Sequence, residues 1–214
     1  MEELAQFPVG FIIALSGVLI PGPLLAYVIV KTGQSGRSTG FFAAAGHMMV
    51  ELVFLALIAA GLGVVMASFY FQVGLGIFGG AILLVLGVFA IIRLVGGYRG
   101  EGIVVGRYHP VIGGIFFSTV LNPSVPIWWV TVGFATLMEA YVLASTAGVV
   151  MWLLGHFTAD FLWFSGVSVA VAKGRKFIGT RGHRVLLLFC AVVLIVIGFY
   201  FLVKYGFALT RVST

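Results

Sequence analysis

Six stretches of this chain run for about twenty residues or more with almost no charge: 7–30, 41–66, 73–94, 111–134, 142–171 and 185–205. A helix rises about 1.5 Å per residue, so roughly 20 apolar residues cross the ~30 Å hydrocarbon core of a bilayer. In lipid every backbone amide and carbonyl must be satisfied within the protein, which leaves helices as the natural spanning element for runs of this length. Only 8% of the residues are charged, against about 25% in a soluble domain. A water-soluble fold would have too little polar surface to cover itself. The expected fold is therefore an all-α membrane protein of six transmembrane helices, with the lipid bilayer as its first partner.

The net charge of +6 is not a nucleic-acid signal, because the basic residues are not gathered on one face or tail. Ten of the twelve fall in three segments between apolar runs: Lys31 and Arg37 in 31–40; Arg93, Arg99 and Arg107 in 93–110; Lys173, Arg175, Lys176, Arg181 and Arg184 in 172–184. The intervening segments 67–72 and 135–144 hold no Lys or Arg. The excess of Lys and Arg in cytoplasmic loops then puts the three basic segments inside and both termini outside; Lys204 and Arg211 fall on the other side. Met1-Glu2-Glu3 lacks the basic start of a cleaved signal peptide, so the first span is expected to be retained.

Two motif matches dissolve in this setting. Gly74, Gly76 and Gly79 spell GxGxxG, but a dinucleotide site needs a preceding strand and a later acid. Here the glycines sit in an apolar run and Arg99 follows. Gly76 and Gly80 instead form a small-xxx-small pair for helix packing, within the chain or in a homo-oligomer. Asn122-Pro123-Ser124 is no glycosylation acceptor, since proline fills the middle position. The lone Cys190 allows no intrachain disulfide. No nucleophile-base-orienter set and no cofactor motif is present, so neither an enzyme nor a cofactor is expected.

The chain repeats itself. Gly46-His47-x-x-x-Glu51 in the second run matches Gly155-His156-x-x-x-Asp160 in the fifth, 109 residues on. Pro21-Gly22-Pro23 in the first run matches Asn122-Pro123 and Pro126 in the fourth, 102 or 103 residues on. A three-span unit reverses orientation at each use, so the expected architecture is two inverted three-helix repeats, 1–94 and 111–214, joined by a cytoplasmic linker at 95–110. Proline removes a donor and clashes with the preceding turn, so helices 1 and 4 should break at their prolines. Broken helices at matching positions mark transporter sites.

The polar groups left at mid-membrane are then the candidates for function. The half-helix starting near Leu24 would aim free amides and a positive dipole end at the break, which suits a substrate carboxylate. Pro21, Gly22, Pro23, Leu24, Asn122 and Pro123 form the expected substrate-binding set, although Asn122 has a plain capping role open to it. Glu51 and Asp160 lack any Lys or Arg well inside a span. A carboxylate at mid-bilayer costs ~2.5–3.5 kcal/mol on insertion scales, so each should hold a proton, a cation or a substrate ammonium. His47 and His156 lie one turn before them on the same helix faces and can share or relay that proton. Structural hydrogen bonding between helices is the alternative. The four tryptophans, Trp128, Trp129, Trp152 and Trp163, read as packing or interface anchors.

These residues resemble the LysE-type amino-acid exporter family. The likeness rests on Pro21-Gly22-Pro23 followed by an apolar stretch and the short Lys31–Arg37 turn, on Asn122-Pro123, on an acid at Glu51 where aspartate is common, and on six spans in 214 residues. Ile20, Ser124 and the two histidines depart from the family pattern, which bears on substrate more than on fold. The resemblance implies a secondary transporter of the plasma (inner) membrane that exports an amino acid or similar zwitterion, driven by protons or exchange. A divalent-metal exporter using His47, Glu51, His156 and Asp160 as N/O ligands is a second reading. A non-transporting membrane subunit or sensor is a third.

Overall fold

The computed structural model describes residues 1–95, 108–119 and 122–210, and among these every element is helical. Helix α1 is Glu2–Val18 and α2 is Pro23–Ser35, and the two meet at 84°. The bend follows from the residues. Pro21 and Pro23 withhold two donors, Gly22 takes an extended conformation as the cap of α2, and Pro23 fills its first turn, where a missing amide costs nothing. Helix α2 ends at Gly36, whose φ of +86° glycine adopts freely.

Helix α3, Thr39–Leu57, continues through a π-helical turn, Ile58–Leu62, into α4, Gly63–Ala67. Gly61 at φ +88° bends the chain within that turn. Only Ser68 separates α4 from α5, Phe69–Val95. Helix α6, Pro110–Ser118, leads to the second break, and α7, Ser124–Trp128, runs through a π-turn, Trp129–Gly133, into α8. Backbone helix then extends from Phe134 to Thr210. It is not one rod. Ser145 sits at φ +53°, and a Cβ placed on Gly148 would meet the Ala140 carbonyl. In a straight helix those two residues would be about 12 Å apart, so the chain folds back at Ser145. Among the described residues four helices are long and apolar enough to cross a membrane, or five counting α1–α2 as one broken span.

Several expected boundaries need correction. Lys31 is not in a loop: it is 4% exposed in α2, with its ammonium 5.6 Å from the Tyr108 ring centre. The first basic turn is thus Gly36–Ser38, because α2 persists until its glycine. The expected loops 67–72 and 135–144 shrink to Ser68 and a turn at Ser145, since their apolar residues stay helical. Segment 172–184 is helical in its backbone. Arg99 and Arg107, like most of 93–110, lie outside the described residues.

Close approaches between helices are made at glycines. A Cβ on Gly155 would fall on the carbonyl of Phe7 and 2.9 Å from the Phe11 nitrogen, and one on Gly10 would fall on the Trp152 carbonyl. Gly46 and Gly114 do the same between α3 and α6, on the carbonyls of Val111 and Ala43. Three glycines of α5 pack within the chain: Gly76 on the Tyr205 ring, Gly79 on the Pro123 ring, and Gly80 on Gly198.

Two apolar clusters flank the middle of the molecule. One joins Val18, Leu24, Tyr27, Val28, Phe117 and Phe164. The other joins Ile58, Met66, Trp129, Leu137 and Trp152. The polar residues of interest lie between them.

Candidate functional site

The two breaks meet. A Cβ on Gly22 would sit 3.8 Å from the Asn122 amide nitrogen, so the gap between α1 and α2 faces the gap between α6 and α7. Asn122 is 8% exposed, and its Oδ1 accepts from the Ser124 hydroxyl while its carbonyl accepts from the Val125 amide. The expected side-chain cap is not made: Pro123 stands at the cap of α7, and the Asn122 side chain meets the Ser124 hydroxyl instead of a backbone amide. Pro123 is fully buried against Gly79 and supports the break without lining the cavity. Pro21 and Pro23 also lie outside the lining, so the three prolines shape the breaks and Gly22, Leu24 and Asn122 are the members of the expected set that border the cavity.

A cavity of about 60 Å³ lies where the breaks meet. Ala14, Gly17 and Val18 of α1, Gly22, Leu24 and Leu25 at the start of α2, and Asn122, Ser124 and Val125 form one side. His47 and Glu51 from α3, and His156, Asp160 and Phe164 from α8, form the other. The start of α2 leaves backbone amides without intrahelical acceptors, and its Leu24 and Leu25 border the cavity.

The four ionisable residues are brought together from both halves, all of them 6% exposed or less. His156 Nε2 is 3.2 and 3.3 Å from the two Glu51 oxygens and 3.4 Å from Asp160 Oδ2. His47 Nε2 is 3.5 Å from Glu51 Oε1. The i, i+4 spacing seen in the sequence thus places each histidine beside its acid, and His156 also reaches the acid of the other half. Donor oxygens of Glu51 and Asp160 lie within 4.8 Å of each other and of His47. Two negative charges that close repel by at least about 3.5 kcal/mol at an effective dielectric of 20. The two acids are therefore not both ionised unless a proton or a cation relieves them. Among the described residues His47 Nδ1, His156 Nδ1 and Asp160 Oδ2 make no hydrogen bond.

Three of the tryptophans expected as packing anchors do pack, in and against the second apolar cluster, and they also touch this site. Trp129 Nε1 donates to Glu51 Oε1 at 2.9 Å. Trp152 stacks on His156 with ring centres 5.3 Å apart and planes 12° apart, and Trp128 and Trp129 each bring a ring centre to 5.1 Å from it. Trp128 Nε1 donates to Ser16 Oγ at 3.1 Å, tying α7 to α1. One of these carries a local signal: Trp152 precedes His156 by four residues and so shares its face. The Trp129–Glu51 bond joins residues 78 apart and no local pattern announces it.

No curated protein and no solved structure matches the chain. The sequence model of the LysE type translocator family matches residues 15–205, a range that holds both breaks, both acids and both histidines. With its apolar helices and its broken-helix cavity, the chain belongs to the LysE type translocators, a family of membrane transporters.

Proposed function

We propose that this translocator is a secondary active exporter of an amino acid or a related small zwitterion across the plasma membrane. Its six spans form two inverted repeats, 1–94 and 111–214, linked by the cytoplasmic segment 95–110. Spans 1 and 4 are the broken ones, and span 4 is separated from span 5 at Ser145. The paired glycine crossings support this reading. Gly155 on Phe7 and Gly46 on Val111 are counterparts, as are Gly10 on Trp152 and Gly114 on Ala43. The partners differ by 104 residues in spans 1 and 4 and by 109 in spans 2 and 5. In this arrangement the basic turn 36–38 and the segments 93–110 and 172–184 face the cytoplasm and both termini face outward.

One observation carries the functional reading: both helix breaks and both buried acids border one cavity. The start of α2 receives the substrate carboxylate through free amides and its positive dipole end. Glu51 and Asp160 receive the ammonium or, in the returning form, the coupling proton, with His47 and His156 beside them to pass it. Rocking of one repeat against the other then exposes the cavity to each side in turn.

A second reading, divalent-cation export, is favoured by one fact: His47, Glu51 and Asp160 each offer a donor atom within 4.8 Å of the others. That N/O set suits borderline metals, with the cation as cargo. Thermal unfolding of the purified protein separates the two. Amino acids that raise the transition at millimolar concentration, with no response to Mn²⁺ or Zn²⁺, support the first reading. Stabilisation by metal alone, lost in His47→Ala, replaces it with the second.

A further inference from the structure

The cavity is small for a cargo site, and its walls are not equally fixed. At about 60 Å³ it lies well below the roughly 300–1,000 Å³ of an ordinary small-molecule pocket. Leu24, Val18, Val125 and Phe164 on its walls are all at most 9% exposed, and each is locked into an apolar cluster. Trp128, the largest side chain on the wall, packs only against the edge of the Trp129–Trp152 cluster. It is only half-buried. Its indole N–H is tied by a neutral hydrogen bond to Ser16. Its indole lies flat on Gly17, where a Cβ would come 3.2 Å from Nε1, and over Gly133, where one would come 2.6 Å from Cζ3. The π-turn Trp129–Gly133 follows directly, and such turns are frequent where a helix must adjust.

We propose that Trp128 sets the size limit of the cargo, and that with the indole pinned to Ser16 the site takes amino acids with the smallest neutral side chains. This rests on the transport reading above. The acids and histidines of the wall are already turned to one another and to the ammonium. Beyond those four the wall carries only uncharged side chains, Asn122 and Ser124 among them, and gives a charged cargo side chain no counter-charge. The indole face also stands beside the ammonium position, where cation–π attraction adds to the acids. Release of the Ser16 bond lets the indole lift off Gly17 and deepens the cavity on that side.

The test is displacement of radiolabelled alanine from purified protein by glycine, valine, leucine, phenylalanine and lysine. The parent should be displaced by glycine at concentrations at least tenfold below those of leucine, phenylalanine or lysine. In Ser16→Ala, and in Trp128→Phe, which keeps a ring without the N–H, that gap should shrink about fivefold, the effect of one ordinary neutral hydrogen bond on an equilibrium. A purely structural role would weaken all ligands alike and leave the ratios in place. Ser16→Ala leaves the indole intact, so it decides the matter should Trp128→Phe fail to fold. Unchanged ratios in Ser16→Ala, or a parent that prefers leucine or lysine, overturn the size limit while leaving amino-acid transport standing. Absence of alanine binding to the parent overturns both.

Discussion

Replacing Gly155 by alanine should damage this protein out of proportion to one methyl group. The added Cβ falls on the Phe7 carbonyl and 2.9 Å from the Phe11 nitrogen. Both are backbone atoms, so no rotamer change relieves the contact, and α1 and α8 must part by on the order of 1 Å. Overpacking of this kind costs about 1–3 kcal/mol, which for a chain of this size corresponds to a fall of roughly 2–12 °C in the unfolding transition. The same helix supplies its own control. A Cβ added at Gly166 has nothing within 4 Å of it, so Gly166→Ala gains helix propensity of about 0.5–1 kcal/mol and should raise the transition by a few degrees. Asp160 lies five residues beyond Gly155, so the parting also loosens its contact with His156. Thermal unfolding of both variants in one detergent, followed by intrinsic fluorescence, makes the comparison. Equal transitions for Gly155→Ala and Gly166→Ala would mean that α1 and α8 do not cross at this glycine. Gly46→Ala, clashing with Val111 and Ile115, should behave like Gly155→Ala if the two halves are built alike.

Trp129→Phe keeps a smaller aromatic ring but withdraws the donor to Glu51, a bond to a charged group worth about 1.5–3 kcal/mol; the unfolding transition should fall, and one unchanged from the parent would show that the carboxylate does not depend on it. Thr32 and Ser168 share a buried hydroxyl bond of 2.8 Å between α2 and α8. Thr32→Val and Ser168→Ala should each cost about 1 kcal/mol, and the double variant little more than either, because both remove the same bond. Fully additive losses in that cycle would contradict the bond.

The polar geometry is more legible in the sequence than the path of the chain. A histidine and an acid four apart on an apolar helix must lie side by side, and a proline pair in an apolar run must interrupt it, so His47, Glu51, His156, Asp160 and both breaks can be read directly. Loop lengths cannot. Residues 67–72 and 135–144 lack the Pro and Gly clusters that end helices, so nothing local marks Ser68 or Ser145 as the turning points. Lys31 reads as loop because it is a charge beside a Gly-rich turn, whereas the aromatic ring of Tyr108 receives it inside α2. The tryptophans of the site are hidden for a different reason. Their bonds to Glu51 and Ser16 join residues far apart in sequence, and only the folding of one half onto the other creates them.

Transport by this protein turns on whether Glu51 and Asp160 serve a cargo. Counterflow of radiolabelled alanine in proteoliposomes measures this directly, with parent, Glu51→Gln and Asp160→Asn reconstituted at equal density. Each variant keeps its side-chain shape and loses its charge. If the two acids hold the ammonium or the coupling proton, counterflow is rapid in the parent and falls at least tenfold in both variants. Counterflow at parental rate in both would contradict that role.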